Sequence, residues 1–196
     1  MQINPHWHGL IEYTEGLTAQ QKYWSDSLST GKIFVMGCEH PGVITRGKRE
    51  SRNEFAFGEL AYNEAEISNS QKIQEKFLAD RALPNNLPEV LTDRGGQTTI
   101  HSEGQLVIYP IVPIRALGLG VRSYVCTVLK ATHALLDSLG IENRVQESPA
   151  GIFTGTGKIA FVGVRVQNGI TRHGVSININ NDLNLFKQIV PCGIAG

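Results

Sequence analysis

Three thiols could act as nucleophiles in this sequence: Cys38, Cys126 and Cys192. Cys38 lies in the apolar run KIFVMGCEHP, and Cys126 sits beside the apolar stripe of a helical pattern. In such settings cysteine is expected to behave as a small hydrophobe. Cys192 differs, because its IVPCGIAG context is poor strand or helix material and good loop material. A loop thiol can be exposed and aimed, so Cys192 is the candidate nucleophile. The histidines divide similarly. His6 and His8 alternate along one run, but no acidic or cysteine partner stands at ligand spacing, so no metal site is expected. His40, before Pro41, and His133, within a helical pattern, read as structural. His101 follows RGGQTTI and His173 precedes Gly174. Each of these two reads equally as a catalytic group or as a satisfied polar group that holds a site together.

GTGKI at 155–159 invites a phosphate-loop reading and fails it. The pattern GxxxxGK[ST] requires glycine where Ile152 stands, and serine or threonine where Ile159 stands. The glycine-arginine loop of biotin-ligase type is also missing. With the usual handles for ATP absent, acyl chemistry here has to start from an activated donor, and no cofactor is expected.

The elements that must position these groups are legible in outline. HWHGLIEY (6–13) suggests a short strand. In TAQQKYWSDSLSTG, Thr18 suggests a helix N-cap, with Gln21 three residues on and Gly31 as the stop. KIFVMGCEHP reads as a second strand closed by Pro41. From Lys48 to about Asn86 the composition turns charged and Asn/Glu-rich, and the segment reads as a surface insertion carrying one helical stretch. DRGGQTTIH then reads as a glycine loop entering a strand, and GQLVIYPIVPI as the next strand. The helix VRSYVCTVLKATHALLDSLG places Val121, Tyr124, Val125, Val128, Leu129, Leu135, Leu136 and Leu139 at helical spacing, with Gly140 as its stop.

KIAFVGVRVQNGITRHGVSININ holds two alternating runs joined by Asn168-Gly169, a strong hairpin signal. A two-residue turn there pairs Gln167 with Ile170. Counting back sets Gly163 opposite Gly174, and Lys158 opposite Ile179. Two facing glycines leave a bare patch of sheet, where a ligand or another backbone can come close, or else mark a bulge. No repeat or linker divides the chain. The expected fold is one α+β domain with a mostly antiparallel sheet flanked by helices.

Composition narrows the class further. The chain has 196 residues, with 18 lysines and arginines balancing 18 aspartates and glutamates. That balance gives no reason to expect a nucleic-acid or membrane-surface partner. MQINPHWHGL lacks a basic stretch followed by an apolar run, so no secretory leader is expected. No apolar run approaches the ~18 residues of a membrane span. Three cysteines without CxxC spacing suit a reducing, cytoplasmic setting.

Four blocks together resemble a known family. RGGQTTIHSEGQLVIY (94–109), GKIAFVG (157–163), HGVSININ (173–180) and PCG (191–193) are similar, in order and separation, to the lipoyl(octanoyl) transferases of the biotin/lipoate protein ligase superfamily. Two positions depart from the family pattern: Ile100 replaces an aromatic before the histidine, and Ser102-Glu103 replaces Gly-Pro. The resemblance implies that Cys192 carries an acyl-thioester and that Lys158 lowers its pKa or takes its proton. It also implies an acyl pocket lined by Arg94, Gly95, Gly96, Gln97, Thr98, Thr99, Ile100 and His101, by Phe161, Val162 and Gly163, and by Gly174, Val175 and Ser176, with His173 in support. The donor it implies is octanoyl-acyl carrier protein. The acceptors it implies are lipoyl domains of 2-oxoacid dehydrogenase E2 subunits and the glycine cleavage H protein.

The implied chemistry is self-consistent. A free cysteine is only about 3% thiolate at pH 7, and a cation that moved its pKa to about 7 would make it roughly half. Thioester exchange between two thiols is nearly isoenergetic and thioester to amide is downhill, so no ATP is needed. Three rivals stand beside this reading: an ATP-dependent lipoate-protein ligase, a cysteine hydrolase pairing Cys192 with His173, and a non-catalytic acyl- or lipoyl-domain-binding homologue.

Overall fold

A computed structural model of the chain describes residues 3–48, 87–148 and 150–189. All but the first residue of the 48–86 segment, and Cys192 with the rest of the PCG block, lie outside the described residues. The chain divides into two compact units, one of residues 1–41 and 101–182, the other of residues 42–100 and 183–196.

The first unit is built on a seven-stranded sheet. Its strands are β1 (Ile3–Leu10), β2 (Ile33–Glu39), β6 (Gln105–Ile111), β7 (Arg144–Glu147), β8 (Ala150–Thr154), β9 (Gly157–Gln167) and β10 (Ile170–Asn178), in the spatial order β1-β2-β6-β10-β9-β8-β7. Only β1 runs parallel to its neighbour; the β2–β6, β6–β10, β10–β9, β9–β8 and β8–β7 pairs are antiparallel. The mostly antiparallel α+β expectation therefore holds.

Strand alternation divides the core between two helices. Along β6, Val107, Tyr109 and Ile111 join Met36, Cys38, Ile170 and Trp24 of helix α1 (Tyr13–Thr30). The intervening Leu106 and Ile108 join a second cluster with Val175, Ile177, Ile152 and Ala160, closed by helix α2 (Val121–Ser138) through Tyr124, Val128, Leu129 and Leu136. One helix therefore covers each face. Burying a leucine such as Leu129, 1% exposed, is worth about 2 kcal/mol.

Helix α1 starts earlier than its sequence suggests. It begins after Glu12, whose N–H donates to the Glu15 carboxylate at 3.1 Å, so an acidic capping box takes the place of the expected Thr18 cap. Thr18 is instead inside the helix, bonded to the Thr14 carbonyl. Gly31 ends the helix as expected, at φ 68°. On α2, Val121, Leu135 and Leu139 are exposed, and Thr132 is buried with the apolar stripe, its hydroxyl donating to the Val128 carbonyl. Cys126 is only half-buried and lines a surface cavity of about 370 Å³ with Arg122, Ser123, Thr127 and Lys130, so its expected core placement is corrected.

A three-stranded sheet consists of β4 (Glu89–Leu91), β3 (Val43–Arg46) and β5 (Thr99–His101), in that order, and all of its residues but His101 belong to the second unit. Strands β3 and β4 are parallel, with Ile44 opposite Glu89 and Arg46 opposite Leu91, and Arg46 pairs with Glu89 in a largely buried ion pair. A 3-10 helix spans Leu183–Gln188.

Candidate active site

The Asn168-Gly169 hairpin forms as its sequence demands. Both residues have positive φ, 51° and 78°, as the favoured two-residue turn requires, and Gln167 pairs with Ile170. Gly163 pairs with Gly174, as the count back from the turn predicts. The patch is not bare at Gly174, however. A Cβ built there would lie 2.2 Å from the Ile108 carbonyl oxygen and 2.6 Å from Cδ of Pro110. His173 just before it has φ 57°, a left-handed backbone conformation uncommon for a residue other than glycine. Of the roles open to Gly174, close approach of another backbone is the one observed.

The β9–β10 ladder ends at Ala160–Ile177, short of Lys158. The Ile179 N–H donates instead to the Gly104 carbonyl, and Lys158 pairs with Phe153 of β8, which corrects the expected Lys158–Ile179 partnership. Across β8, β9 and β10 the residues Gly151, Phe161 and Ser176 form one row of direct partners. Lys158 reaches the same face, with its Nζ 4.9 Å from the Phe161 ring centroid and 5.6 Å from that of Phe153. Val162 and Val175, also predicted for the pocket, point the other way and pack into the α2 core. GTGKI itself forms the turn between β8 and β9 and leads into a strand, not a helix.

On the same side of the sheet, which β6 continues through Val107 and Tyr109, lies a buried polar network drawn from distant parts of the first unit. His40, 0% exposed, is hydrogen-bonded through Nδ1 to the Ile11 carbonyl at 2.8 Å and through Nε2 to the Tyr109 hydroxyl at 2.9 Å. A carbonyl only accepts, so Nδ1 carries the proton and Nε2 accepts from Tyr109. Burial pushes the imidazole pKa down, against an opposing contribution from the Ile11 bond, which is consistent with that neutral form. Tyr13 stacks on His101 with centroids 5.7 Å apart, and the Tyr13 ring meets His40 edge-on. His101 Nδ1 donates to Gln105 Oε1 at 2.6 Å, and Gln105 Nε2 donates to Asn178 Oδ1. His173 is buried with its ring edge-on to Tyr109, and its backbone N–H donates to Gln20 Oε1 at 2.8 Å. His101 and His173 thus sit in a buried scaffold. His40, read as structural, is its hub. The Ser102 hydroxyl beside His101 is buried and has no hydrogen-bond partner among the described residues.

In the second unit, Arg94 is buried and anchors its own loop. Its Nη2 donates to the Thr45 carbonyl at 2.6 Å and to Thr45 Oγ1 at 2.9 Å, and Nη1 donates to the Gly95 carbonyl. The Lys48 N–H donates to the Arg94 carbonyl. Gly47 permits this approach, since a Cβ there would lie 2.4 Å from the Gly96 oxygen. Gly96 itself takes φ 94°, which glycine tolerates. Gly95 and Gln97 are half-buried, while Thr98, Thr99 and Ile100 are buried. The Thr99 hydroxyl has no hydrogen-bond partner among the described residues.

The other thiols and histidines are accounted for. Cys38 is fully buried, and burial, with a smaller contribution from Glu39, pushes its pKa up to about 12. His6 stacks on Tyr23, His8 is hydrogen-bonded to the Tyr23 hydroxyl, and His133 Nδ1 pairs with Asn143 Oδ1. Among the described residues no group of three or more His, Cys, Asp and Glu side chains is arranged to hold a metal ion, and no helix is long and apolar enough to cross a membrane.

Residues 12–195 match the family model of the lipoyl protein ligase A/B catalytic domain. The chain belongs to this family. The octanoyltransferase of Xanthomonas axonopodis pv. citri is 43% identical over 192 residues, covering 98% of this chain and 67% of the relative. The octanoyltransferase of Pseudomonas savastanoi pv. phaseolicola is 33% identical over 188 residues, covering 96% and 74%. Among solved structures, a lipoate-protein ligase A bound with ATP superposes with a TM-score of 0.61 at 14% identity, covering 97% of this chain and 71% of the other. A T. acidophilum protein with bound lipoic acid gives 0.64 at 15% identity, covering 96% and 73%. These two likenesses bear on the fold alone, and they agree with the ligase-like catalytic-domain fold that the sequence blocks imply.

Proposed function

We infer that this chain is an acyltransferase of protein lipoylation, moving an octanoyl group onto the lysine of a lipoyl domain. The relatives named octanoyltransferase match nearly its whole length, and that observation carries the transfer. The finer steps rest on the family resemblance and on the placement of Lys158. The donor is octanoyl-acyl carrier protein, and the acceptors are lipoyl domains of 2-oxoacid dehydrogenase E2 subunits and of the glycine cleavage H protein. The Cys192 thiolate attacks the octanoyl carbonyl, a new C–S bond forms, and the bond to the carrier's thiol breaks. The departing thiolate takes up a proton, matching the one Cys192 lost. The neutral amine of the acceptor lysine then attacks the Cys192 thioester, an amide forms, and Cys192 leaves as the thiolate while the amine sheds a proton.

Lys158 lies on a sheet face beside two aromatic rings, which supports its part in this scheme. A cation there stabilises a thiolate, and the surrounding apolar rings suit an alkyl chain. Burying an eight-carbon chain can contribute up to about 5 kcal/mol at roughly 0.8 per methylene.

Intact mass spectrometry tests the reading. Mixing with octanoyl carrier protein gives an octanoyl adduct on Cys192, and adding apo lipoyl domain removes it. No adduct in the wild type, or an equal adduct in Cys192→Ser, overturns the thioester step. Turnover with free octanoate and ATP, in place of octanoyl carrier protein, would favour the ligase. Release of octanoate without acceptor would favour the hydrolase.

A further inference from the structure

Lys158 and Phe161 are three residues apart on one strand, and in a regular strand they would point to opposite faces. They share a face because β9 is irregular. Ile152 pairs with Ala160, but the next residue on β8, Phe153, pairs with Lys158, so Ile159 is an extra residue on β9. A bulge of this kind re-aims a side chain. Here it turns Lys158 towards both Phe153 and Phe161. The third wall is an absence of side chain. A Cβ at Gly151 would lie 2.3 Å from Lys158 Cε and 3.0 Å from its Nζ, so the lysine stem crosses the space that only glycine leaves.

We propose that Gly151, Phe153 and Phe161 are positioning residues that hold Lys158 as an ammonium, so that it serves as a standing cation and not as a neutral base. Ring faces attract the ammonium and offer nothing comparable to the neutral amine. This inference rests on the reading of Lys158 as the partner of the Cys192 thiol. It sharpens that reading by excluding one of two roles. A lysine that stays protonated cannot accept the thiol's proton. In the first half-reaction that proton therefore passes to the departing carrier thiolate, while Lys158 stabilises negative charge on either sulfur without changing its own protonation.

Two measurements test the proposal separately from the function. Reductive methylation with carbon-13 formaldehyde labels the lysines, and the Lys158 resonance is identified by its loss in Lys158→Met. Ring currents are expected to shift this resonance upfield. The shift should vanish in the Phe153→Leu/Phe161→Leu double variant, survive in Phe161→Tyr, and be altered in Gly151→Ala, which keeps both rings. An unshifted wild-type resonance overturns the cradle. The second measurement is the pH profile of Cys192 alkylation by iodoacetamide, read by peptide mass with Cys126 as internal reference. The Cys192 inflection should rise by about half a pH unit in Phe161→Leu, return in Phe161→Tyr, and rise furthest in Lys158→Met. A Phe161→Leu profile equal to wild type, with Lys158→Met shifted, sinks the cradle and leaves the transferase reading intact. An unshifted Lys158→Met profile sinks the pairing of Lys158 with Cys192 itself.

Discussion

Gly174→Ala separates two meanings of the glycine pair on β9 and β10. If the pair is a bare patch for an acyl chain, a methyl at 174 should obstruct substrate and leave the fold nearly untouched. The contacts point elsewhere. The added Cβ would sit 2.2 Å from the Ile108 carbonyl oxygen and 2.6 Å from Cδ of Pro110. Relief requires roughly an ångström of movement. Ile108 belongs to β6, which is paired on one side to β2 and on the other to β10, so it cannot move freely. The expected cost is about 2–3 kcal/mol, the upper part of the range for overpacking. The entropic gain of alanine over glycine offsets at most about 1 kcal/mol of it. With a urea m-value of about 2 kcal/mol/M, the unfolding midpoint should fall by roughly 0.5–1.5 M. Gly155→Ala is the control, since a Cβ there meets nothing within 4 Å, and its midpoint should stay within about 0.3 M of wild type. A Gly174→Ala midpoint equal to that control, together with lost octanoyl transfer, would refute the packing argument and return Gly174 to the acyl pocket.

Three further outcomes follow from the same geometry. His40 titrates below the ordinary imidazole value, so between about 6.5 and its lowered folded pKa the unfolded chain holds the extra proton. Stability should therefore fall as pH drops below about 6.5, by up to about 1.4 kcal/mol per pH unit, and urea melts of His40→Gln should lack that component. Arg94→Lys loses the fork that grips Thr45, and should speed hydrogen exchange in the 92–98 loop at least tenfold, whereas Arg122→Lys, at an exposed pair, should not. In native protein near pH 7.5, iodoacetamide should label Cys126 and spare Cys38 until urea unfolds the chain, because Cys38 is buried with a pKa of about 12.

The legible parts of this protein are those that local chemistry decides. Asn168-Gly169 specifies its own turn, and a period of two carries that register four residues along each strand from the Gln167–Ile170 pair to the Gly163–Gly174 pair. Gly31 specifies a helix end because a left-handed residue there costs glycine little. The start of α1 is harder to read: the sequence suggests Thr18 as the cap, whereas the Glu12–Glu15 capping box, with Tyr13 and Gly16 buried, starts the helix earlier. The apolar period of α2 matches burial at Tyr124, Val128, Leu129 and Leu136. Val121, Leu135 and Leu139 share that period yet are exposed, because periodicity says which residues share a side and not how far the covering sheet extends.

By itself the sequence determined the hairpin, the α+β class, the family blocks and the candidates Cys192 and Lys158. Only the tertiary structure decided which face Lys158 occupies, since the extra residue Ile159 reverses the parity that alternation would assign. Strand β8 supplies both Gly151 and Phe153, and its five-residue run carries too little pattern to announce a partner for that lysine. The same holds for the network of Tyr13, His40, His101, Tyr109 and His173. Its members come from separate segments, and each looks like an isolated polar residue until folding buries them together. Burial makes an unmet hydrogen bond costly, so the pairing of His40 with Ile11 and Tyr109, and of His101 with Gln105, becomes necessary only in the folded chain.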